Sequence, residues 1–195
     1  MFSTIIVPRN NEWELSNEAK KLGFERILAV YPSSGLCQSK KQEDLISIQM
    51  GVFGDKKEII KAKQKGVFTI ITTVGDRGVF EKTKPDMFMI SEIEKKDGIH
   101  QRNSGLNDVL CKIARKNKIT FLIDAHTLLL QKNVAIALGR MKQNVHLCRK
   151  YKVPLAISSF ASSPTEIIAP LELMSVGKLL GLSPGEAKEA VSFDL

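Results

Sequence analysis

Short apolar runs rich in β-branched residues alternate with helical stretches along nearly the whole chain, and this alternation limits the possible folds most. The runs are continuously apolar, for example "STIIVP" at 3–8 and "VFTIITTV" at 67–74. Continuous apolar strands are typical of a parallel sheet that is buried on both faces. We predict strands at 3–8, 26–31, 44–54, 67–74, 87–92, 120–125 and 154–160.

Helical periodicity and end signals place a helix after most of these strands. The stretch 55–66 begins with Asp55, a favoured N-cap residue, and ends at Gly66, a common C-terminal stop. The other predicted helices are 11–24, 105–118, 133–152, two pieces of 163–181 that separate at Pro170, and 182–193.

The order of these elements predicts the α/β class. About seven or eight strands fit either a compact (β/α) barrel or a doubly wound parallel sheet. At 195 residues the chain is near the lower size limit of a barrel, so some of its units would have to be short. Because no repeat, low-complexity tract or long linker divides the chain, we expect a single domain over residues 1–195.

Composition narrows the cellular setting. No stretch approaches the ~20 apolar residues that a membrane-spanning helix needs. The start "MFSTIIVPRN" lacks the basic start, long apolar run and small-residue cleavage site of a secretory signal. Cys37, Cys111 and Cys148 are odd in number and far apart, which favours reduced, partly buried thiols. These features predict a cytoplasmic protein that makes no membrane contact.

Positive charge is concentrated in one part of the sequence. Residues 95–152 carry 13 Lys and Arg against 3 Asp and Glu, a net of +10, whereas residues 1–94 carry 14 against 13 and residues 153–195 carry 2 against 5. Scattered lysines for solubility would not separate in this way. The segregation favours a polyanionic partner, because cations that meet phosphates release condensed counterions. A basic but inert face is the alternative.

The helix 133–152 gives this charge a surface. Its apolar residues form one stripe, made of Val134, Leu138, Met141, Val145 and Cys148. The stripe can pack on a sheet while the cations of this helix and of helix 105–118 remain exposed. We predict nucleic-acid contacts by Arg102, Arg115, Lys116, Arg140, Lys142, Arg149 and Lys150. Since the basic segment holds only Phe121 and Tyr151 as aromatics, a folded, backbone-rich RNA fits better than a stacked single strand.

Signals for catalysis or metal binding are weak. The chain has three histidines, His100, His126 and His146, and no H-x-H or H-E-x-x-H pattern. "DAH" at 124–126 and "VGDRG" at 74–78 each have a plain interpretation, a helix N-cap and a tight turn. They also have a functional one, a metal ligand and an anion-binding turn. We predict no catalytic residue and no metal ligand.

Two serines end the last predicted strand. Ser158 and Ser159 lie in no G-x-S-x-G motif. They face the mouth of a barrel or cap the helix that begins near Ser163.

Three blocks in the last half of the chain resemble protein component 3 of archaeal ribonuclease P. They are "GLNDVLCKIARKNK" (105–118), "LGRMKQNVHLCRKYKVPLAISSFASSP" (138–164) and "APLELMSVGKLLGLSPGEAKEAVS" (169–192). Their order and spacing match the "G-[ILM]-[DN]-x-V-L" helix, the "K-Y-x-V-P-x-x-I-S-S" core and the "P-x-[DE]-L-M" tail of that family. The first half of the chain matches only as a β/α pattern.

The resemblance implies a TIM-like (β/α) barrel related to metal-dependent phosphoesterases. It implies an RNA-binding subunit of ribonuclease P, which removes the 5′ leader from precursor tRNA. The RNA would carry the chemistry, with Mg²⁺ held mainly by RNA and no cofactor on this chain. The implied partners are the ribonuclease P RNA, protein component 2 and other subunits, and precursor tRNA indirectly.

The first strand "STIIVP" departs from the metal-dependent relatives, because it lacks their acidic or His residues. The alternative function is a free-standing, metal-dependent phosphoesterase of barrel fold that uses Asp124, His126 and the "VGDRG" turn.

Overall fold

A computed structural model of the protein describes residues 1–33, 35–37, 48–73, 75–90 and 104–195. Within these residues seven strands form one parallel sheet whose spatial order is the order of the sequence. The strands are β1 (Ser3–Ile6), β2 (Arg26–Tyr31), β3 (Gln49–Gly54), β4 (Phe68–Thr73), β5 (Met87–Ile90), β6 (Thr120–Asp124) and β7 (Leu155–Ser158). All seven predicted strands are therefore present, although residues 44–47, 74 and 91–92 of the predicted ranges lie outside the described residues.

The sheet curls until its two ends meet. The Ile5 N–H donates a hydrogen bond to Ser158 Oγ at 2.8 Å, and the Val7 N–H donates to the Ala161 carbonyl oxygen at 2.8 Å. A parallel bridge between Ile6 and Ala161 completes this seam. The sheet is thus a nearly closed barrel, and the predicted TIM-like (β/α) barrel is confirmed.

Helices cover the outside of the barrel. They are α1 (Glu12–Lys21), α2 (Lys56–Gln64), α3 (Arg77–Thr83), α4 (Asp108–Lys116), α5 (Ala125–Leu129), α6 (Val134–Tyr151), a 3₁₀ turn (Pro164–Glu166), α7 (Pro170–Leu179) and α8 (Pro184–Val191). The predicted break at Pro170 is confirmed, since α7 begins there. The short helices α3 and α5 were given no predicted range, because each has too few residues for a periodic pattern, although "DAH" indicated an N-cap where α5 begins. No helix of the described residues is long and apolar enough to span a lipid bilayer.

Apolar side chains fill two layers. One layer lies inside the barrel and holds, among others, Ile5, Leu28, Ile70 and Leu122. The other lies between the barrel and the helices and holds their strand neighbours, such as Ile6 and Ile71. Successive strand residues point to opposite faces of the sheet, so continuously apolar strands feed both layers.

The C-terminal residues cover the end of the barrel where the strands begin. Phe193 packs with the interior residues, and its carbonyl oxygen accepts a hydrogen bond from Ser3 Oγ at 2.6 Å. Arg26 Nη1 lies 2.7 Å from Asp194 Oδ1, and Arg26 Nη2 donates to the Ser192 carbonyl oxygen at 2.8 Å. The C-terminal residues do not cover the opposite end of the barrel, where the strands finish and the loops begin.

Replacing Ser158 by Ala should lower the free energy of unfolding by ~1–3 kcal/mol, because the buried Ile5 N–H would lose its acceptor. In a chain of this size that loss lowers Tm by roughly 2–10 °C. Ser159→Ala is the matched control, since Ser159 is equally buried and its Oγ has no hydrogen-bond partner among the described residues. Equal Tm values for the two variants in thermal unfolding would show that the Ser158 hydroxyl does not hold the seam.

Candidate nucleic-acid interface

Helix α4 displays part of the positive charge. Asn107 starts the helix, because its Oδ1 accepts a hydrogen bond from the Leu110 N–H at 2.9 Å. Leu110, Cys111 and Ala114 are buried against the rest of the protein. The side chains on the opposite side are exposed, and they include Lys112, Arg115 and Lys116.

Helix α6 packs beside α4. The Cys111 and Cys148 thiols adjoin each other, and this contact together with burial raises the pKa of Cys148. Asn144 Nδ2 donates a hydrogen bond to the Ser104 carbonyl oxygen, four residues before α4, at 2.8 Å. The two helices are therefore fixed side by side on the barrel. Their exposed cations, Lys112, Arg115, Lys116, Lys142 and Lys150, form what we call the α4–α6 surface.

Four predicted contact residues lie on this surface. Arg115, Lys116, Lys142 and Lys150 are exposed. Within the described part of the chain none of the four forms an ion pair. Their charge is therefore available to an anionic partner.

The remaining three predicted contacts have different environments. Arg149 Nε lies 2.8 Å from Glu186 Oε1 on α8, so this cation already has a partner within the protein. Arg102 lies outside the described residues.

Arg140 was expected on the exposed side of α6, and that expectation is wrong, because its side chain is only 4% exposed. The buried side of α6 contains Ala137, Arg140, Asn144 and Cys148, and Leu138 of the predicted stripe is only half-buried. The polar Asn144 is buried because its amide binds the chain before α4, which no apolar pattern reveals.

Sequence reasoning gave Tyr151 no role, although it lies at the edge of this surface. The Tyr151 ring is half-buried at the end of α6, with Lys112 Nζ 5.8 Å and Lys150 Nζ 5.2 Å from the ring centroid. The Asp108 carboxylate faces the Tyr151 hydroxyl and raises the pKa of Tyr151. An aromatic residue within a basic segment was the available signal.

The open end of the barrel holds an apolar recess of about 340 Å³. Phe53, Leu122 and Phe160 line it, together with Asp124. Burial raises the pKa of Asp124, whose Oδ1 accepts a hydrogen bond from the Thr127 N–H at 3.1 Å. Asp124 is thus the N-cap of α5, which is the plain interpretation of "DAH".

The other candidate groups near this end also have structural partners. The described residues of "VGDRG", which begin at Gly75, lead into α3. Asp76 is the N-cap of that helix, because its Oδ1 accepts a hydrogen bond from the Gly78 N–H at 2.9 Å. The Asp76 carboxylate therefore occupies the helix N-terminus at which an anionic ligand would bind. Ser158 joins β1, and the Glu166 carboxylate accepts hydrogen bonds from the Ser162 and Ser163 N–H groups at the start of the 3₁₀ turn. Among the residues that the structure describes, no three His, Cys, Asp or Glu side chains group as a metal site would require.

Comparisons with known proteins agree on one family. The family model described as RNase P subunit p30 matches residues 81–194. The Ribonuclease P protein component 3 of Methanosarcina acetivorans is 37% identical over 93 residues, which are 47% of this chain and 39% of that protein. Its counterpart in Methanococcus vannielii is 30% identical over 80% of this chain and 63% of that protein. The chain thus spans about two fifths to two thirds of the relatives it matches.

Solved structures show the same fold. A chain in the cryo-EM structure of archaeal Ribonuclease P with mature tRNA has a TM-score of 0.73 at 19% identity, over 95% of this chain and 86% of that one. The crystal structure of A. niger ochratoxinase has a TM-score of 0.54 at 8% identity, over 97% and 69%. At such identities the likeness concerns the barrel alone.

Replacing Asp124 by Asn should raise Tm at neutral pH by a few degrees, of the order that ~1 kcal/mol produces. Asn keeps the cap and removes a carboxylate that burial disfavours. Because the folded-state pKa is raised, the wild-type protein gains stability as pH falls through that pKa toward the unfolded value, so the advantage of Asn should disappear there.

Thermal unfolding measured from neutral to acidic pH tests this expectation. Asp76→Asn makes the same change at the exposed cap of α3 and controls for the lost charge at a helix N-terminus. An Asp124→Asn variant that loses as much stability at neutral pH as Asp76→Asn would contradict the assigned burial cost.

Proposed function

Since the chain belongs to the RNase P subunit p30 family, we propose that it is an RNA-binding protein subunit of ribonuclease P. Ribonuclease P is the ribonucleoprotein endonuclease that removes the 5′ leader from precursor tRNA. The relatives named Ribonuclease P protein component 3 support this proposal. Family membership also confirms the resemblance inferred from the three sequence blocks.

The observation that carries the proposal is the α4–α6 surface. It lies within the residues that the family model matches, and its cations are exposed on two helices whose other sides are buried. Lysine and arginine side chains so held contact phosphates without reading sequence, which suits the backbone of a folded RNA. We propose Arg115, Lys116, Lys142 and Lys150 as the principal contacts, with Arg102 retained from the sequence prediction.

Two of the predicted RNA-contact residues are not among the principal contacts of this proposal. Arg140 drops out, because a side chain with 4% exposure does not reach a phosphate. Arg149 stays at the edge of the surface, where contact with RNA competes with its ion pair to Glu186. The pKa of Glu186 is lowered, chiefly by the Ser183 N–H and in part by Arg149, so Glu186 remains charged at neutral pH.

We also propose a role for the chain within the complex. We propose that the RNA carries catalysis with Mg²⁺ bound mainly by RNA, and that this chain binds no cofactor of its own. The carboxylates described above favour a metal held by RNA rather than by this chain, because they already have partners within the protein. Asp124 and Asp76 cap helices, and Glu166 accepts a hydrogen bond from the Ser162 N–H. The proposed protein partners are component 2 and other subunits. We propose that the chain contacts precursor tRNA only indirectly and that it acts in the cytoplasm without membrane contact.

Replacing Lys116 and Lys142 by Ala should weaken binding to the cognate catalytic RNA and flatten its salt dependence. The slope of log affinity against log salt should fall by about one for each phosphate-contacting cation removed, hence by about two for the double variant. Filter binding over a salt series measures both quantities. Lys57→Ala is the matched control, because Lys57 is an exposed lysine on α2, away from the α4–α6 surface.

Two results would count against the proposal in different ways. An unchanged slope in the double variant would remove the α4–α6 surface as the RNA contact. Robust, chelator-sensitive phosphoesterase turnover by the purified chain without RNA, lost in Asp124→Asn, would instead support the free-standing enzyme.

A further inference from the structure

The edge of the α4–α6 surface contains one aromatic ring between cations from two helices. Tyr151 ends α6, Lys150 precedes it, and Lys112 reaches the ring from α4. Both ammonium groups lie within 6 Å of the ring centroid, the range of an electrostatic attraction to the ring face. Neither lysine has an ion-pair partner among the described residues.

We propose that Tyr151, Lys112 and Lys150 bind one unpaired nucleotide of an RNA, with its base stacked on the Tyr151 ring and its flanking phosphates held by the two lysines. This inference rests on the proposed function. It goes beyond it by naming the kind of RNA feature that the chain would recognise.

The arrangement favours a base over further protein contacts. An exposed cation–π contact is weak, whereas a phosphate offers each lysine a full opposite charge. The ammonium groups can therefore move from the ring to phosphates on either side of a base, and the part of the half-buried ring that they vacate is hydrophobic and flat. The nearby Asp108 carboxylate lies at the hydroxyl end of the ring and raises the pKa of Tyr151.

The site offers one aromatic ring, and therefore a stacking partner for one base rather than for a strand. Phe121, the other aromatic residue of the basic segment, is fully buried in β6. A track of stacked bases needs several exposed aromatic rings. The nucleotide must be unpaired, because the base faces in an A-form helix are covered by their neighbours. The low aromatic content therefore argues against a run of stacked bases but is compatible with a single one.

The first test compares Tyr151→Leu with Tyr151→Phe in binding to the cognate catalytic RNA. Tyr151→Leu removes the ring and should weaken binding by roughly 5- to 100-fold, the range measured for loss of one aromatic–base stack. Tyr151→Phe keeps the ring and should stay within about twofold of wild type. Because neither change removes a charge, the slope of log affinity against log salt should not change.

Trp13→Leu is the matched control. Trp13 is 73% exposed on α1, on another part of the barrel, so its loss should leave RNA affinity unchanged. Thermal unfolding of each variant separates a loss of binding from a loss of folding.

A second test identifies the nucleotide by ultraviolet cross-linking of the wild-type complex. The chain has two tyrosines, and Tyr31 is 1% exposed, so a tyrosine cross-link should map to Tyr151 and to one unpaired position of the RNA. An abasic residue at that position should weaken wild-type binding and make Tyr151→Leu neutral, as expected for two partners in one contact.

The outcomes separate this inference from the proposed function. Wild-type affinity in Tyr151→Leu, with a reduced salt slope in Lys116→Ala, would overturn the nucleotide site and leave the RNA-binding function standing. A wild-type chain that fails to bind the catalytic RNA at low salt would overturn both. Equal losses in Tyr151→Phe and Tyr151→Leu would overturn base stacking, because the ring would then contribute nothing beyond its hydroxyl.

Discussion

The hydrogen bond from the Ile5 N–H to Ser158 Oγ joins the two ends of the sheet, and the rest of the structure depends on that closure. An open parallel sheet of seven strands would leave the backbone of β1 and β7 unpaired at its edges. Here the Ser158 hydroxyl accepts from the Ile5 N–H of β1, and the Ala161 carbonyl oxygen accepts from the Val7 N–H just after β1. Closure also creates the interior layer that Phe193 covers and sets the helices side by side around the outside.

Helix α6 connects the barrel to the proposed function. Its buried side packs through Ala137, Val145 and Cys148, while Asn144 binds the chain in front of α4. The same contacts that hold α6 in place therefore align α4 beside it, so that the exposed cations lie on neighbouring helices. TIM-barrel enzymes use the open end of the barrel for catalysis. In this protein that end is an apolar recess whose Asp124 carboxylate caps α5, and the positive charge lies on the outer helices.

Much of the fold follows from local pattern. Continuously apolar strands such as Phe68–Thr73 indicated a parallel sheet with two buried faces, and both core layers bear this out. The choice between a barrel and an open sheet came from family resemblance, because the seam joins residues about 150 positions apart. Helices α3 and α5 show no helical period in the sequence, since seven and five residues are too few, and only the N-cap signal at Asp124 indicated α5.

The sequence by itself determined the α/β order, the family and the concentration of positive charge between residues 95 and 152, because these are properties of composition and spacing. Only the tertiary structure decided which cations are available. Arg140 is buried beside Asn144, Arg149 is paired with Glu186, and Tyr151 lies between lysines of two helices. Each of these arrangements depends on contacts between elements that are distant in sequence. Packing and hydrogen bonding between those elements decide which side chains are exposed, and the periodicity of a single helix does not reveal them.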